Sequence, residues 1–345
     1  MYKILNSASI EWNDFIERLP LEKRDIYLTR EYLELYEING DGLARLFIYE
    51  EGDNVAIYPF LIREIQGYSL DNTYYDIESA YGYGGPIVSN EMNSKFLSNF
   101  EEEFFKYCKE HNIVAEFIRF NPYIKNEEIF TKNISVIKNR TTVCLNLDKS
   151  IDDIWKDDIN SKNRNMIRKA EKNALNVEIK NDYSTFKEIY EETMGKVSAD
   201  GYYYFKNSYY DNMEKDSNYI MFNVKLEEET VASAIFIGCG DYFHYHLAGS
   251  KKEYLKLAPN NLLLWEAIKY ANKNGHKLFH FGGGLTNSPE DNLFKFKSSF
   301  SKDSLDFYIG KRVHNEEVYK FLINKWEEKY NKKASILLQY RDILN

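Results

Sequence analysis

Apolar residues recur at two spacings along this chain, and the switches between them mark its elements. Residues 22–39 place Ile26, Leu28, Tyr32, Leu33 and Leu35 at helical spacing. Residues 44–49 and 54–64 alternate as strands around the turn Glu51-Gly52-Asp53. Residues 79–88 form a strand broken by glycines and a proline. Residues 91–111 predict an amphipathic helix with Phe96, Phe100, Phe104 and Tyr107 on its stripe. Strands over 114–120 and 135–147 close this half. The second half repeats the theme. Ser150 caps a helix over 151–160, a helix over 162–173 follows, and 177–179 is a short strand. Helices over 183–196 and 207–215, paired strands over 219–225 and 230–238, and a last helix over 315–338 complete it.

Residues 242–300 carry the most information. YFHYHLAGS reads as a strand, APNNLLLWEAIKYANKNG as a helix capped by Pro259 and Asn260, and HKLFHFGGG as a strand ending in three glycines. DNLFKFKSSF is a short basic-aromatic segment, read as edge strand, with Lys295 and Lys297 alternating to one face. Two neighbouring strands with a helix between them can splay and leave a slot lined by backbone groups.

The 345 residues, 43% hydrophobic, suffice for a sizeable core and for two domains. The repeated theme predicts an α/β (α+β) fold of two similar modules, residues 1–147 and 148–345, with no Pro/Gly/Ser linker between them. A net charge of −9 gives no global attraction to DNA or an anionic membrane, so any polyanion needs a local basic patch. Cys108, Cys144 and Cys239 lack CxxC spacing, which fits a reducing compartment without a disulfide framework or zinc site. MYKILNSASIEWNDF has no apolar leader region, and no run of about 18 apolar residues predicts a membrane span. The expected location is the cytoplasm.

Several residue groups have the chemistry of a site, each with a plainer alternative. Arg164 and Arg168 lie one helical turn apart, so two bidentate donors face one way, as suits phosphate or carboxylate; the alternative is a solvated face pairing with Glu171. Tyr81, Gly82, Tyr83, Gly84 and Gly85 combine close backbone approach with stacking rings, or else make a bulge and edge packing. His244 and His246 share a strand face, and His246 is either a general base or a structural hydrogen-bonding group. Gly282–Gly284 can present amides to an anion, or can simply turn the chain. No third ligand at metal spacing accompanies the histidines.

Five blocks in order carry a family resemblance. IRFNPYIKN (118–126), NRNMIRKAEKNALNVEI (163–179), ADGYYYFKNSYYDNM (199–213), YHLAGS (245–250) and FHFGGG…LFKFKSSF (279–300) resemble the FemABX-related acyltransferases, including the shorter BioF2-like members. The resemblance spans about residues 40–300 and lacks the long helical arm of some cell-wall members. It implies two tandem GNAT-like domains, each a mixed, mostly antiparallel sheet flanked by helices. It implies transfer of an activated acyl or aminoacyl group to an amine, with no bound cofactor and with aminoacyl-tRNA or acyl-CoA as co-substrate. Lys297 resembles the family's late functional lysine, placed to stabilise a developing oxyanion or the donor's phosphate or ribose, with Lys295 as its substitute. Arg164 and Arg168 match a basic helix near the substrate, and Tyr81 and Tyr83 match an acceptor-binding wall. Tyr203 and Tyr204 match a tyrosine-rich segment facing the cleft, although the arginine of cell-wall members is absent there. Lys295, Asn260 and Gly283 are the expected donor-side contacts.

The sequence departs from acyl-CoA enzymes in one respect. No Q/R-x-x-G-x-G/A loop precedes a helix; LeuLysLeuAlaProAsnAsn (255–261) stands in its place, which favours an ester donor. No GxSxG elbow or Cys–His signature predicts a covalent intermediate, so the expected chemistry is direct attack of an amine, helped by alignment and oxyanion stabilisation. The first reading is an aminoacyltransferase moving an aminoacyl group from charged tRNA to a cell-envelope precursor or related glycan or peptide. The second is an acyl-CoA-dependent N-acyltransferase on an amino sugar or amino acid. The third is a non-catalytic binding module on the same fold.

Overall fold

The structure is a computed structural model that describes residues 2–90, 93–130, 132–196 and 204–344. It folds as two compact units, Met1–Asn139 with Phe307–Asn345, and Arg140–Asp306. The first unit begins with β1 (Tyr2–Asn6), α1 (Trp12–Glu17), α2 (Arg30–Asn39), β2 (Leu43–Glu51) and β3 (Asn54–Glu64). It continues with β4 (Tyr75–Glu78), β5 (Ile87–Val88), α3 (Ser94–Glu110) and β6 (Ile113–Arg119). The chain crosses to the second unit within β7 (Ser135–Asn146). That unit holds α4 (Ile151–Asp153), α5 (Ser161–Lys172), β8 (Leu175–Ile179), α6 (Tyr183–Lys196), α7 (Asn207–Met213), β9 (Tyr219–Leu226) and β10 (Glu229–Cys239). It ends with β11 (Tyr242–Ser250), α8 (Pro259–Lys273), β12 (Leu278–Gly283) and α9 (Asn292–Lys297); β13 (Ser304–Val313) and α10 (Glu316–Tyr330) return the chain to the first unit.

Among the described strands of each unit, one neighbouring pair runs parallel and the rest antiparallel. In the first the order is β1-β2-β3-β4-β6-β13, and only β4 and β6 are parallel, with α3 between them in sequence. In the second the order is β7-β12-β11-β10-β9-β8, and only β11 and β12 are parallel, with α8 between them. Parallel strands joined along the chain need a crossover connection, usually a helix, and α3 and α8 supply it. The same βαβ step within an otherwise antiparallel sheet is the internal duplication that the recurring pattern predicts.

Helix α3 buries Phe96, Phe100, Phe104 and Tyr107, as their spacing predicts, and Asn93 caps it through the amides of Lys95 and Phe96. Helix α8 is apolar nearly all round and lies in the second unit's core with Phe236, Phe243, Phe279 and Phe281.

Several expected elements break where polar side chains capture the backbone. The stretch 22–39 is not one helix. Asp25 accepts from the amide of Ile26, and Thr29 from that of Tyr32, so two short 3-10 turns precede α2. Ser150 caps α4 as expected, but the helix gives way to a π turn over Ile154–Asp158. The last helix ends at Tyr330, because Asn331 turns left-handed (φ 49°) and the amide of Ala334 is taken by Glu327. The units also divide differently from a cut at 147/148. Residues 140–147 belong to the second unit, and 307–345 complete the first through pairing of β13 with β6. None of the helices formed by the described residues is long and apolar enough to cross a membrane.

Candidate active site

Strands β11 and β12 pair over three residues only, Tyr242↔Leu278, Phe243↔Phe279 and His244↔His280. Beyond His244, β11 stays with β10 as far as Ser250; beyond His280, β12 stays with β7 as far as Gly283. The strands therefore part. Each has a bulge near the parting point, at Ile235/Phe236 in the β10 ladder and at His280/Gly282 in the β7 ladder, and bulges bend strands. Helix α6 takes up part of the loosened β11 edge. Its backbone at Ile189 lies where a Cβ on Gly249 would stand 2.8 Å away, and the Ser250 amide donates to Thr193 Oγ1 at 3.0 Å.

Lys297 lies beside the point where the strands part. Its segment is helix α9, not a strand, because Asp291 Oδ1 accepts from the amides of Leu293 and Phe294, both at 2.9 Å. The helical turn separates the two lysines expected on one face. Lys295 is exposed and pairs with Glu290, whereas Lys297 is 8% exposed. Lys297 Nζ donates to Gly283 O at 2.7 Å and lies 5.6 Å from the ring centre of Tyr245, the first residue of β11 past the pairing. Burial, and then the nearby charge of Arg140, hold its amine down to about 7 against an opposing pull from Asp291.

The glycine triplet has three separate reasons. Gly282 is left-handed (φ 77°) at the bulge. A Cβ on Gly283 would stand 2.8 Å from Arg140 Cδ, and one on Gly284 would stand 2.4 Å from Asp291 Oδ1. Arg140 Nη1 donates to Gly284 O at 2.7 Å. The carbonyls of the triplet thus face two cations, where the sequence pattern suggested amides facing an anion.

The helix starts converge on the same segment. Asn160 caps α5 and donates its own amide to Ser299 O at 3.0 Å. Asn163 Nδ2 donates to the same carbonyl at 3.2 Å, and Asn261 Nδ2 donates to Asn163 Oδ1 at 2.7 Å. Asn260 Nδ2 donates to Ser250 Oγ at 3.2 Å, tying the start of α8 to the end of β11. The first turns of α5 and α8 are thereby joined to the chain two residues beyond Lys297.

Three histidines border the parting strands. His246 Nε2 lies 3.0 Å from Tyr209 Oη, and burial, with the His244 charge, holds its imidazole down to about 3. His280 is buried with Nε2 3.1 Å from Thr142 Oγ1, and burial, then His244 and Lys297, push it well below the usual histidine range. The His244 and His280 rings stand 6.0 Å apart. His246 and His280 are held neutral near pH 7, whereas Lys297 is poised between its two forms.

The other expected residues have local partners. Arg164 Nη1 donates to the carbonyls of Trp155, Lys156 and Ile159, closing the π turn, and Arg168 stacks 5.3 Å over Trp155. In the first unit, Tyr83 packs edge-on against Tyr27, Tyr123 and Phe307, and the Tyr81 carbonyl accepts from Tyr32 Oη at 2.6 Å. Gly82 leaves room for Tyr27, whose ring would meet a Cβ at 2.4 Å. Tyr204 is 44% exposed, and Tyr203 lies outside the described residues. Arg140 and Asp291 are absent from the sequence-based expectations. Asp291 had a signal, a cap residue before an apolar run; Arg140 had none.

Residues 161–296 match the model of the acetyltransferase (GNAT) domain family. A crystal structure of FemX is 16% identical, with a TM-score of 0.70 over 92% of this chain and 99% of that one. L-PGS from Bacillus licheniformis is 13% identical, with a TM-score of 0.57 over 89% of this chain and 92% of that one. The C-terminal domain of a putative lysylphosphatidylglycerol synthetase from Agrobacterium fabrum is 10% identical, with a TM-score of 0.55 over 88% and 92%. No curated protein matches by sequence. The second unit thus carries a stretch similar to a GNAT acetyltransferase domain, and the chain as a whole shares its fold with FemX. The resemblance to FemABX-related proteins holds at the level of the fold.

Proposed function

We propose that this protein moves an aminoacyl group from charged tRNA to an amine of a cell-envelope precursor or a related glycan or peptide. The observation that carries the reading is the buried amine of Lys297 at the point where β11 and β12 part. An acyl carbonyl lying between the parted strands meets backbone groups on both edges and an ionisable amine at its end. The acceptor nitrogen attacks that carbonyl directly, and the site contributes alignment and charge stabilisation. The fold shared with FemX and with lysylphosphatidylglycerol synthetases, whose named product is an aminoacylated lipid, supports aminoacyl transfer. Asn260 and Gly283 are proposed on the donor side.

A second reading, N-acylation from acyl-CoA, draws support from the GNAT family match. Against it, a 3-10 turn over Lys252–Leu257 and a left-handed Ala258 precede α8, with no glycine loop to wrap a pyrophosphate. Incubation of the protein with a radiolabelled aminoacyl-tRNA pool, or with labelled acyl-CoA, each with cell extract as acceptor source, separates the two. RNase-sensitive transfer of label to an amide supports the first reading, transfer from the thioester alone the second, and no transfer from either donor sinks both.

A further inference from the structure

We infer that Arg140 is a positioning residue that sets the charge of Lys297, so that the Lys297 amine carries a proton from the attacking nitrogen to the leaving oxygen. The inference rests on the acyl-transfer reading and adds to it a residue and a proton path. Arg140 and Lys297 hold consecutive carbonyls of one glycine run, Arg140 Nη1 on Gly284 O and Lys297 Nζ on Gly283 O, each at 2.7 Å. Gly283 leaves the space that the Arg140 side chain crosses. Lys297 is buried, and among the described residues no carboxylate forms an ion pair with it. A buried ammonium beside a guanidinium, without a carboxylate in contact, loses its proton readily.

The surroundings of Lys297 act in both directions. On its own element Asp291 favours the ammonium, but that carboxylate is engaged by the amides of Leu293, Phe294 and Thr286. From β7, Arg140 opposes the ammonium. From β12, His280 is coupled to Lys297 and held neutral. From β11, the face of Tyr245 favours a cation. Lys295 points to solvent and pairs with Glu290.

The step balances without a further reactant. The acceptor nitrogen forms its bond to the donor carbonyl, and its surplus proton passes to the neutral Nζ. The carbon–oxygen ester bond then breaks, and the departing oxygen takes that proton from the ammonium. The products are an amide and an alcohol, and Lys297 returns to the amine. Arg140 never touches the reacting atoms.

The test is competitive labelling of amines with isotopic acetic anhydride across pH, read by mass spectrometry at Lys297, in the wild type, Arg140→Gln and Arg140→Lys. The wild-type reactivity of Lys297 rises with a midpoint near 7. In Arg140→Gln the midpoint moves up by about one pH unit or more, and in Arg140→Lys it stays. The acid limb of the kcat–pH profile follows the same midpoints, so that Arg140→Gln loses roughly tenfold in kcat at neutral pH and recovers it at higher pH. A wild-type midpoint in the ordinary lysine range overturns the inference, as does an unmoved midpoint in Arg140→Gln. A labelling midpoint that moves while the kcat profile does not removes the proton path. Labelling needs no turnover, so if no donor supports transfer, the functional reading falls while the labelling still decides the role of Arg140.

Discussion

At the scale of single residues, the fold carries Lys297 at a cost. Holding a lysine amine from 10.5 to about 7 means the folded chain has released a proton that the unfolded chain keeps across that window. Below the folded value both states are protonated and the whole penalty, on the order of 5 kcal/mol, is felt; it is relieved as pH rises from 7 toward 10.5. Lys297→Met keeps the stem in its apolar slot and removes the charge. The variant is expected to melt several degrees higher than the wild type at pH 6–7, with the difference shrinking toward pH 10, while kcat falls by roughly 10²–10³. Calorimetry across pH checks the first part and initial rates the second. A lower melting temperature at pH 6 would show that the Gly283 hydrogen bond outweighs desolvation.

At the scale of elements, helix α9 decides where that lysine points. Burial pushes the Asp291 carboxyl up, but hydrogen bonds from the amides of Phe294, Thr286 and Leu285 hold it down to about 2. A depressed carboxylate stabilises the fold above its ordinary 3.8, and that contribution disappears as pH falls toward 2. Asp291→Ala is expected to cost about 1 kcal/mol at neutral pH and to lower kcat by loosening Lys297. Thermal melts at pH 7 and at pH 2–3 check it, since the gap to the wild type closes at low pH only if the cap is the cause. Gly284→Ala reproduces the neutral-pH effect, because its Cβ meets Asp291 Oδ1 at 2.4 Å. The sequence made the helices α3 and α8 and the two strands around α8 legible, because their burial follows a simple period. Residues 292–297 form a helix where alternation suggests a strand, because six residues with alternating aromatics fit either period and the Asp291 cap decides between them. Arg140 was invisible for a different reason. Its role depends on the β7–β12 ladder, which brings residues 140 and 284 together across 144 positions of sequence.

At the scale of the whole molecule, the same non-local logic governs where the first unit ends. Its sheet is completed by β13, which delivers Arg312 into the core with none of its side chain exposed. There the guanidinium meets Glu101 at 3.2 Å and Glu116 at 3.7 Å, and stacks on Phe130 with its carbon 4.2 Å from the ring centre. Glu116 also accepts from Tyr58 Oη and pairs with His314 Nε2, both at 2.9 Å. No local pattern foretells this arrangement; a basic residue on a late strand reads as solvent-exposed until its partners on α3 and β6 are known. Removing the cation takes the guanidinium from two buried carboxylates, and breaking a buried pair in this way costs about 3–5 kcal/mol. Arg312→Met should therefore destabilise the first unit by that amount, while Arg312→Met combined with Glu101→Gln and Glu116→Gln should recover much of it, because the loss arises from unpaired charge and not from volume. A chain ending at Asp306 lacks the part of β13 that pairs with β6 and is expected not to fold its first unit at all. Chemical denaturation of the single and triple variants distinguishes the two causes: equal losses in both would assign the effect to packing of the guanidinium on Phe105 and Phe130.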